Sequence, residues 1–233
     1  NMFKGLKLST KLAIGFGIVL VALAAVAAVG MIQIASVQTA ELDLAESHMP
    51  LTVAILTIDS AAGGQELSVT KYAVHKEERF LQEYAKLGED IASALAHAKE
   101  LIDADSDIVA KGWPGKLQEI HDAQSLVVAS TGKLIDAVKA NATQEEWSVI
   151  ADDVDEQATG LMAKIDAFLE TNSAEAASVS ETASAAAASA RVMISTVSIG
   201  AILFGILLAI TITRSIAKPI NAAIAGLTDG SNQ

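Results

Sequence analysis

The 233-residue chain has no cysteine, three prolines and only 4% aromatic residues. Without cysteine there is no disulfide, no thiolate metal site and no thiol nucleophile. Few aromatics and few prolines, beside much Ala, Leu and Val, argue against a β-sandwich or barrel. Positive charge is also scarce. Sixteen Lys and Arg stand against 28 Asp and Glu, for a net charge of −12. That balance disfavours nucleic acid, whose phosphates must be met by Lys and Arg. Catalytic signatures are missing as well: there is no nucleotide-binding loop, no G-x-S-x-G and no H-E-x-x-H. Neither an enzyme nor a cofactor is expected.

The chain is instead rich in apolar residues, at 52% of the total, with a mean hydropathy of +0.41. They concentrate in two runs. Leu12 to Ile32 is 21 residues without a charge, and Val192 to Thr213 is 22, bounded by Arg191 and Arg214. About 20 apolar residues rising 1.5 Å each cross a hydrocarbon core of about 30 Å, so both runs read as membrane-spanning helices. A cleaved signal peptide is the alternative for the first. Against it, the run exceeds a typical signal core, and its A-x-A pattern (Ala22, Ala24) falls inside the run.

Charge orients the spans. Lys4, Lys7 and Lys11 precede the first with no acid among them; Arg214 and Lys218 follow the second. Residues 35–190 hold 27 of the 28 acids and ten of the 16 bases. Basic residues next to the span ends stay inside, so both termini are expected in the cytoplasm and the middle segment outside. The expected division is a cytoplasmic N-terminus 1–11, a span 12–33, an outside domain 34–190, a span 191–213 and a cytoplasmic segment 214–233.

The outside segment repeats apolar residues at helical spacing. Four seams follow: Leu51, Ile55, Ile58, Ala62, Gln65, Val69, Tyr72; Phe80, Tyr84, Leu87, Ile91, Leu95, Ala98, Ile102; Leu117, Ile120, Gln124, Val127, Thr131, Leu134, Val138; and Trp147, Ile150, Val154, Leu161, Ile165, Phe168. Spacings alternating between three and four resemble a coiled-coil seam, with Gln65 as a polar layer. Pro50 predicts a kink or restart of the first helix. A turn is expected near Val74–Arg79 and a loop over 103–115. Thr143-Gln-Glu-Glu146 is a capping box that starts the fourth helix. Residues 171–190, rich in Ala and Ser, read as helix continuing toward the second span. The expected fold is all-α: an antiparallel up-down four-helix bundle flanked by two transmembrane helices.

After the second span comes Thr213-Arg-Ser-Ile-Ala-Lys-Pro-Ile220, an Arg at the membrane exit and then a Pro opening an amphipathic helix. It resembles the start of a HAMP domain. Phe3-Lys-Gly-Leu-Lys-Leu-Ser-Thr-Lys-Leu12 looks like the opening of bacterial methyl-accepting chemotaxis proteins. Together the pieces resemble the input half of such a receptor. The resemblance implies a two-pass inner-membrane protein with a periplasmic sensor and a homodimer or larger receptor array. It implies a small-molecule or periplasmic-protein stimulus. Signals would leave through Arg214, Ile216, Pro219 and Ile220 to a cytoplasmic adaptor and kinase. The chain stops six residues after Leu227, so the second HAMP helix and the signalling stem are not in it; a shortened or a natural short form is expected. Alternative outputs are a histidine kinase or a nucleotide cyclase. A membrane-anchored structural or adaptor protein with no small ligand is the rival from another class.

Candidate sites follow from residue type. Amino-acid-binding relatives use an Arg cluster near the far end of the first helix; here Lys71, His75, Lys76 and Arg79 occupy that region. Thr143, Gln144 and Trp147 begin the fourth helix nearby. Cations beside a helix N-terminus can hold a carboxylate. The plainer reading is a solvated face balanced by Glu77, Glu78 and Glu83, with Trp147 in the core. His97 and His121 fall at similar heights on the second and third helices, where they would share Zn²⁺ or Ni²⁺ with Glu100 or Asp122; two exposed surface histidines are the plainer alternative. Asp103, Asp105 and Asp107 fail the calcium-loop pattern, because Ile108 and Pro114 stand where Gly and Glu are needed. They read as a solvated acidic loop and helix cap.

Overall fold

The computed structural model describes the backbone of residues 8–230 and the side chains of residues 10, 13–211, 213 and 214. The described backbone is helical throughout apart from short turns, with no strand. Helix α1 is Leu8–Asp43, followed by a single π turn, Leu44–His48. Then come α2 (Met49–His75), α3 (Glu78–Ala104), α4 (Ser106–Ala110), α5 (Trp113–Lys139) and α6 (Gln144–Gly230). The chain forms two compact units. One is Ala40–Glu181; the other comprises the segments ending at Thr39 and beginning at Thr182.

The flanking unit is built from the two apolar runs. Its helices are long and apolar enough to cross a membrane. Phe16, Leu20, Ile202 and Leu207 are all more than half exposed along it. Contiguous apolar surface of this kind is matched by hydrocarbon rather than water. Gly15 faces Leu208 so closely that a Cβ there would lie 2.9 Å from the leucine Cδ1. A larger residue would force the two runs apart.

The other unit is a bundle of α2, α3, α5 and the first part of α6. Every residue of the first and third predicted seams is buried. On α3, Phe80, Ile91, Ala98 and Ile102 are buried while Tyr84, Leu87 and Leu95 are half-buried. On α6, Val154, Leu161, Ile165 and Phe168 are buried, and Trp147 and Ile150 half-buried. These side chains form two clusters along the bundle, one from Leu51 to Phe168 and one around Val69, Tyr72, Phe80 and Val138. Between them lies a polar layer. The Gln124 Nε2 donates to Gln65 Oε1 over 3.0 Å, and Gln65 Nε2 donates to the Tyr84 carbonyl over 3.1 Å. Gly88 makes room for it, since a Cβ there would sit 3.0 Å from Gln65 Nε2.

Pro50 explains the π turn. It lacks an N–H, and its ring crowds the carbonyl four residues back. The backbone widens over Leu44–His48 instead, and the Met49 N–H bonds the Leu44 carbonyl, one residue further than in an α-helix. The 103–115 segment corrects the expected loop. Asp105 caps α4 by accepting from the Asp107 and Ile108 N–H groups. Trp113 is only 1% exposed and opens α5 from inside the core.

The polar layer predicts an asymmetric mutational response. Gln65→Leu alone orphans the Gln124 amide and should cost about 1–3 kcal/mol. Replacing both glutamines by leucine should recover stability to within about 1 kcal/mol of the parent. Denaturant unfolding of the chain in uncharged detergent checks both values.

Candidate functional site

Two polar constellations occupy opposite ends of the bundle. At the far end, α2 stops because Lys76 takes a left-handed conformation (φ 54°), and its N–H closes on the Tyr72 carbonyl. Asn141, before α6, is also left-handed (φ 59°). Left-handed residues other than glycine are uncommon, and Asn tolerates that region best. The Lys76 Nζ donates to Asn141 Oδ1 over 3.1 Å, which ties the two turns together.

Two other far-end cations and the His75 ring gather on the Phe80 ring. The Arg79 guanidinium carbon lies 4.6 Å from the Phe80 ring centroid and the Lys71 Nζ 5.8 Å. The His75 ring centroid is 5.9 Å away. The negative face of an aromatic ring attracts cations at this range, by about 0.5–1 kcal/mol each at exposed sites. Phe80 is therefore the organiser of the cluster, and the sequence pattern marked it only as a seam residue. Of the three acids expected to balance the cations, Glu77 pairs with Arg79 over 2.8 Å. Lys71 is half-buried, while His75, Lys76 and Arg79 are open to solvent.

The fourth helix begins as its capping box requires. Glu146 Oε2 accepts from the Thr143 N–H over 2.8 Å and from its hydroxyl over 2.9 Å, and the Glu146 N–H returns to Thr143 Oγ1 over 3.3 Å. Thr143 is thus engaged by its own helix. Gln144 is exposed beside it. Trp147 packs half-buried against the second core cluster.

The two histidines of the metal hypothesis line different grooves. His97 borders one between α2 and α3, with Glu100 Oε2 3.9 Å from its Nδ1. His121 borders one between α3 and α5. Asp122 accepts from Gln118 instead. Among the described residues, no group of three or more His, Asp or Glu is placed to hold a metal ion.

The near end holds a constellation that no sequence period announces. His48, in the π turn, is 3% exposed and Asn172, on α6, is 1% exposed. The Asn172 amide donates to the His48 carbonyl over 2.9 Å and to Thr52 Oγ1 over 2.7 Å. Its Oδ1 therefore accepts from His48 Nδ1, at 2.7 Å. Beside this network the Trp113 indole packs edge-on against Phe168, with centroids 4.9 Å apart. Its Nε1 donates to Glu175 Oε2 over 3.0 Å, and Glu175 also pairs with Lys111. That contact raises the Lys111 pKa above its usual value. The entry of the first sensor helix and the exit of the last are thereby fastened to each other. Arg214 is exposed; the side chains of Ile216, Pro219 and Ile220 lie outside those described.

Residues 5–187 match the family of four-helix-bundle sensory modules for signal transduction. The match covers most of the chain, and the chain belongs to this family, the sensory module of methyl-accepting chemotaxis receptors. Neither the comparison with curated proteins nor that with solved structures finds a match.

The cap makes a pH prediction. Bonds from the Thr143 backbone and hydroxyl hold the Glu146 carboxyl below its ordinary value of 4.5. A depressed pKa in the folded state contributes stability that is full above the unfolded value and fades as pH falls through the folded one. The first turn of α6 should therefore stay closed at pH 5 and fray on further acidification. The carboxyl resonance of Glu146, followed by NMR, should titrate with a midpoint below 4.5; a midpoint at or above it would show an open cap.

Proposed function

We propose that the chain is the input half of a transmembrane chemoreceptor, with the bundle in the periplasm and both termini in the cytoplasm. The stimulus acts at the far end of the bundle, and α6 carries the response through the second span to a HAMP helix beginning near Arg214. The orientation rests on Lys4, Lys7 and Lys11 before the first span and Arg214 and Lys218 after the second.

One observation carries the reading. Lys71, His75 and Arg79 converge on Phe80 at the end of the bundle where α6 begins. Lys71, Lys76 and Arg79 bring three cations together on a segment of strong negative charge, Arg79 being paired with Glu77. A small organic anion, with its carboxylate on the cations and its body on Trp147, is the stimulus that fits. Lysine is a point charge rather than a bidentate clamp, so a site of the Arg-cluster kind is not expected. Coupling requires that this anion bind one arrangement of α2 and α6 better than the other.

A homodimer fits the same reading. The outer face of α2 carries a second stripe at heptad spacing: Met49, Val53, Leu56, Ser60, Gly63, Leu67, Thr70 and Val74. Met49, Val53, Leu67 and Val74 are more than half exposed. A second copy packed along this stripe would bury it as a coiled-coil seam.

A thermal-shift scan of the full chain in lipid nanodiscs tests the proposal, with amino acids, organic acids, aromatics and divalent metals as the panel. Mass action should raise the melting point saturably with an organic anion. Lys71→Ala or Trp147→Ala should abolish that rise. A rise untouched by both substitutions, or none with any compound, would contradict the far-end site.

A further inference from the structure

The groove that His121 borders holds about 310 Å³ and lies between the end of α3 and the start of α5. Its lining comes from these two helices alone. The face of α3 beside the exposed α2 stripe is a different one, that of Asp90, Ser93 and His97. A second copy seated on the stripe therefore leaves this groove open. Buried Ile102 and Leu117 form its floor with half-buried Leu95. Lys99 and Asp103 stand exposed on the α3 rim, one turn apart and paired with each other. Gln118 and His121 stand exposed on the α5 rim. Gln118 donates to Asp122 over 2.8 Å and keeps its carbonyl oxygen as an acceptor.

The lining sets one Lys against one Asp, so a free anion or a free cation meets a like charge beside its partner. A zwitterion matches both, but it must shed the hydration of two full charges for two exposed ones that water screens. A neutral amide edge presents C=O and N–H side by side at a lower desolvation cost. Its C=O can accept from Lys99 Nζ while its N–H donates to the Asp103 carboxylate, both charge-assisted bonds. The exposed Lys99–Asp103 pair is worth little by itself, so its atoms are readily recruited. The apolar floor asks for an apolar face above it, which a flat ring supplies.

We propose that this groove binds a small, neutral, planar heterocycle with amide edges, of the pyrimidine-dione kind. One edge bonds Lys99 and Asp103, the opposite edge faces Gln118 and His121, and one ring face covers Ile102 and Leu117. The volume lies at the lower end of small-molecule sites, about 300–1,000 Å³, as suits a single ring. The position gives the site leverage. Pro114 borders the groove next to Trp113, whose indole is held by Phe168 and Glu175 of α6. An occupant therefore rests against the corner that fastens the last sensor helix. Binding stands independently of the far-end site; only its signalling consequence rests on the sensor reading.

The test titrates four probes calorimetrically into the full chain in uncharged detergent: uracil, 1,3-dimethyluracil, benzoate and leucine. Uracil should bind saturably. Dimethyluracil, which keeps the ring and both carbonyls but has no N–H, should bind roughly tenfold or more weakly. Asp103→Ala should weaken uracil by a similar factor and leave dimethyluracil unchanged. Lys99→Met should weaken both, since both carry the accepting carbonyl. Lys99 and Asp103 are solvent-exposed, so these substitutions leave the core untouched. No binding of uracil, equal binding of uracil and dimethyluracil, or an unchanged uracil affinity in Asp103→Ala would overturn the proposal. Tighter binding of benzoate or leucine than of uracil, lost in Lys99→Met, would overturn it in favour of an anion or a zwitterion. Asp103→Ala should leave a far-end response to organic anions as it was. Such a response without uracil binding would remove this groove alone, and the converse would remove the far-end site alone.

Discussion

The apolar seam shared by α2, α3, α5 and α6 is the constraint on which the rest of the sensor depends. Leu51, Ile55, Ile58, Ile120, Leu161, Ile165 and Phe168 lie within it at 1% exposure or less. Each contributes about 1.5–3 kcal/mol by leaving water, which offsets the entropy of holding four helices in register. Apolar contact alone tolerates sliding by a turn. The Gln65–Gln124 pair does not, because a shifted register would strand Gln124 Nε2, Gln65 Oε1 and Gln65 Nε2, which are paired here, in addition to Gln124 Oε1, which is already buried without a partner. Only with this register held can the two ends of the bundle present defined clusters.

Those ends differ in what they can do. The far end is exposed, carries cations and acids side by side, and is built on turns where Lys76 and Asn141 take left-handed backbone. The near end is closed: Asn172 and His48 satisfy each other inside the protein, and Trp113 seals the corner. A far-end stimulus of the proposed kind, tilting or sliding α6, would act against the Asn172 bonds to the π turn. The turn is a natural place for such a movement to be absorbed or passed on, because its hydrogen bonds are already one residue out of α register. Helix α6 then continues without a break from Gln144 to Gly230.

Most of the fold was legible from side-chain period. All seven residues of the Leu51–Tyr72 seam and all seven of the Leu117–Val138 seam are buried as their spacing required. Pro50 and the Thr143–Glu146 box were readable because a missing N–H and a reciprocal cap act locally. Asn172 and His48 were not, since they lie 124 residues apart and their hydrogen bond follows no period. Trp113 was misplaced because Gly112 and Pro114 beside it signal a turn. A tryptophan between two such residues is itself the clue, since so large an apolar side chain is rarely left to solvent. At the candidate site, sequence located the cations but not Phe80, the ring they share. That gathering depends on where the α2–α3 turn places the ring.

The proposed transmission rests on α6 staying helical from the bundle into the second apolar run. Its weakest stretch by composition is 171–191, where Ala and Ser dominate and a flexible linker would read much the same. Hydrogen–deuterium exchange of the chain in lipid nanodiscs addresses this segment directly. The amides of 171–191 should exchange far more slowly than an unstructured peptide of the same sequence, with no gap in protection between Phe168 and Val192. Exchange at the unstructured rate across that stretch would uncouple the sensor from the span and contradict the account.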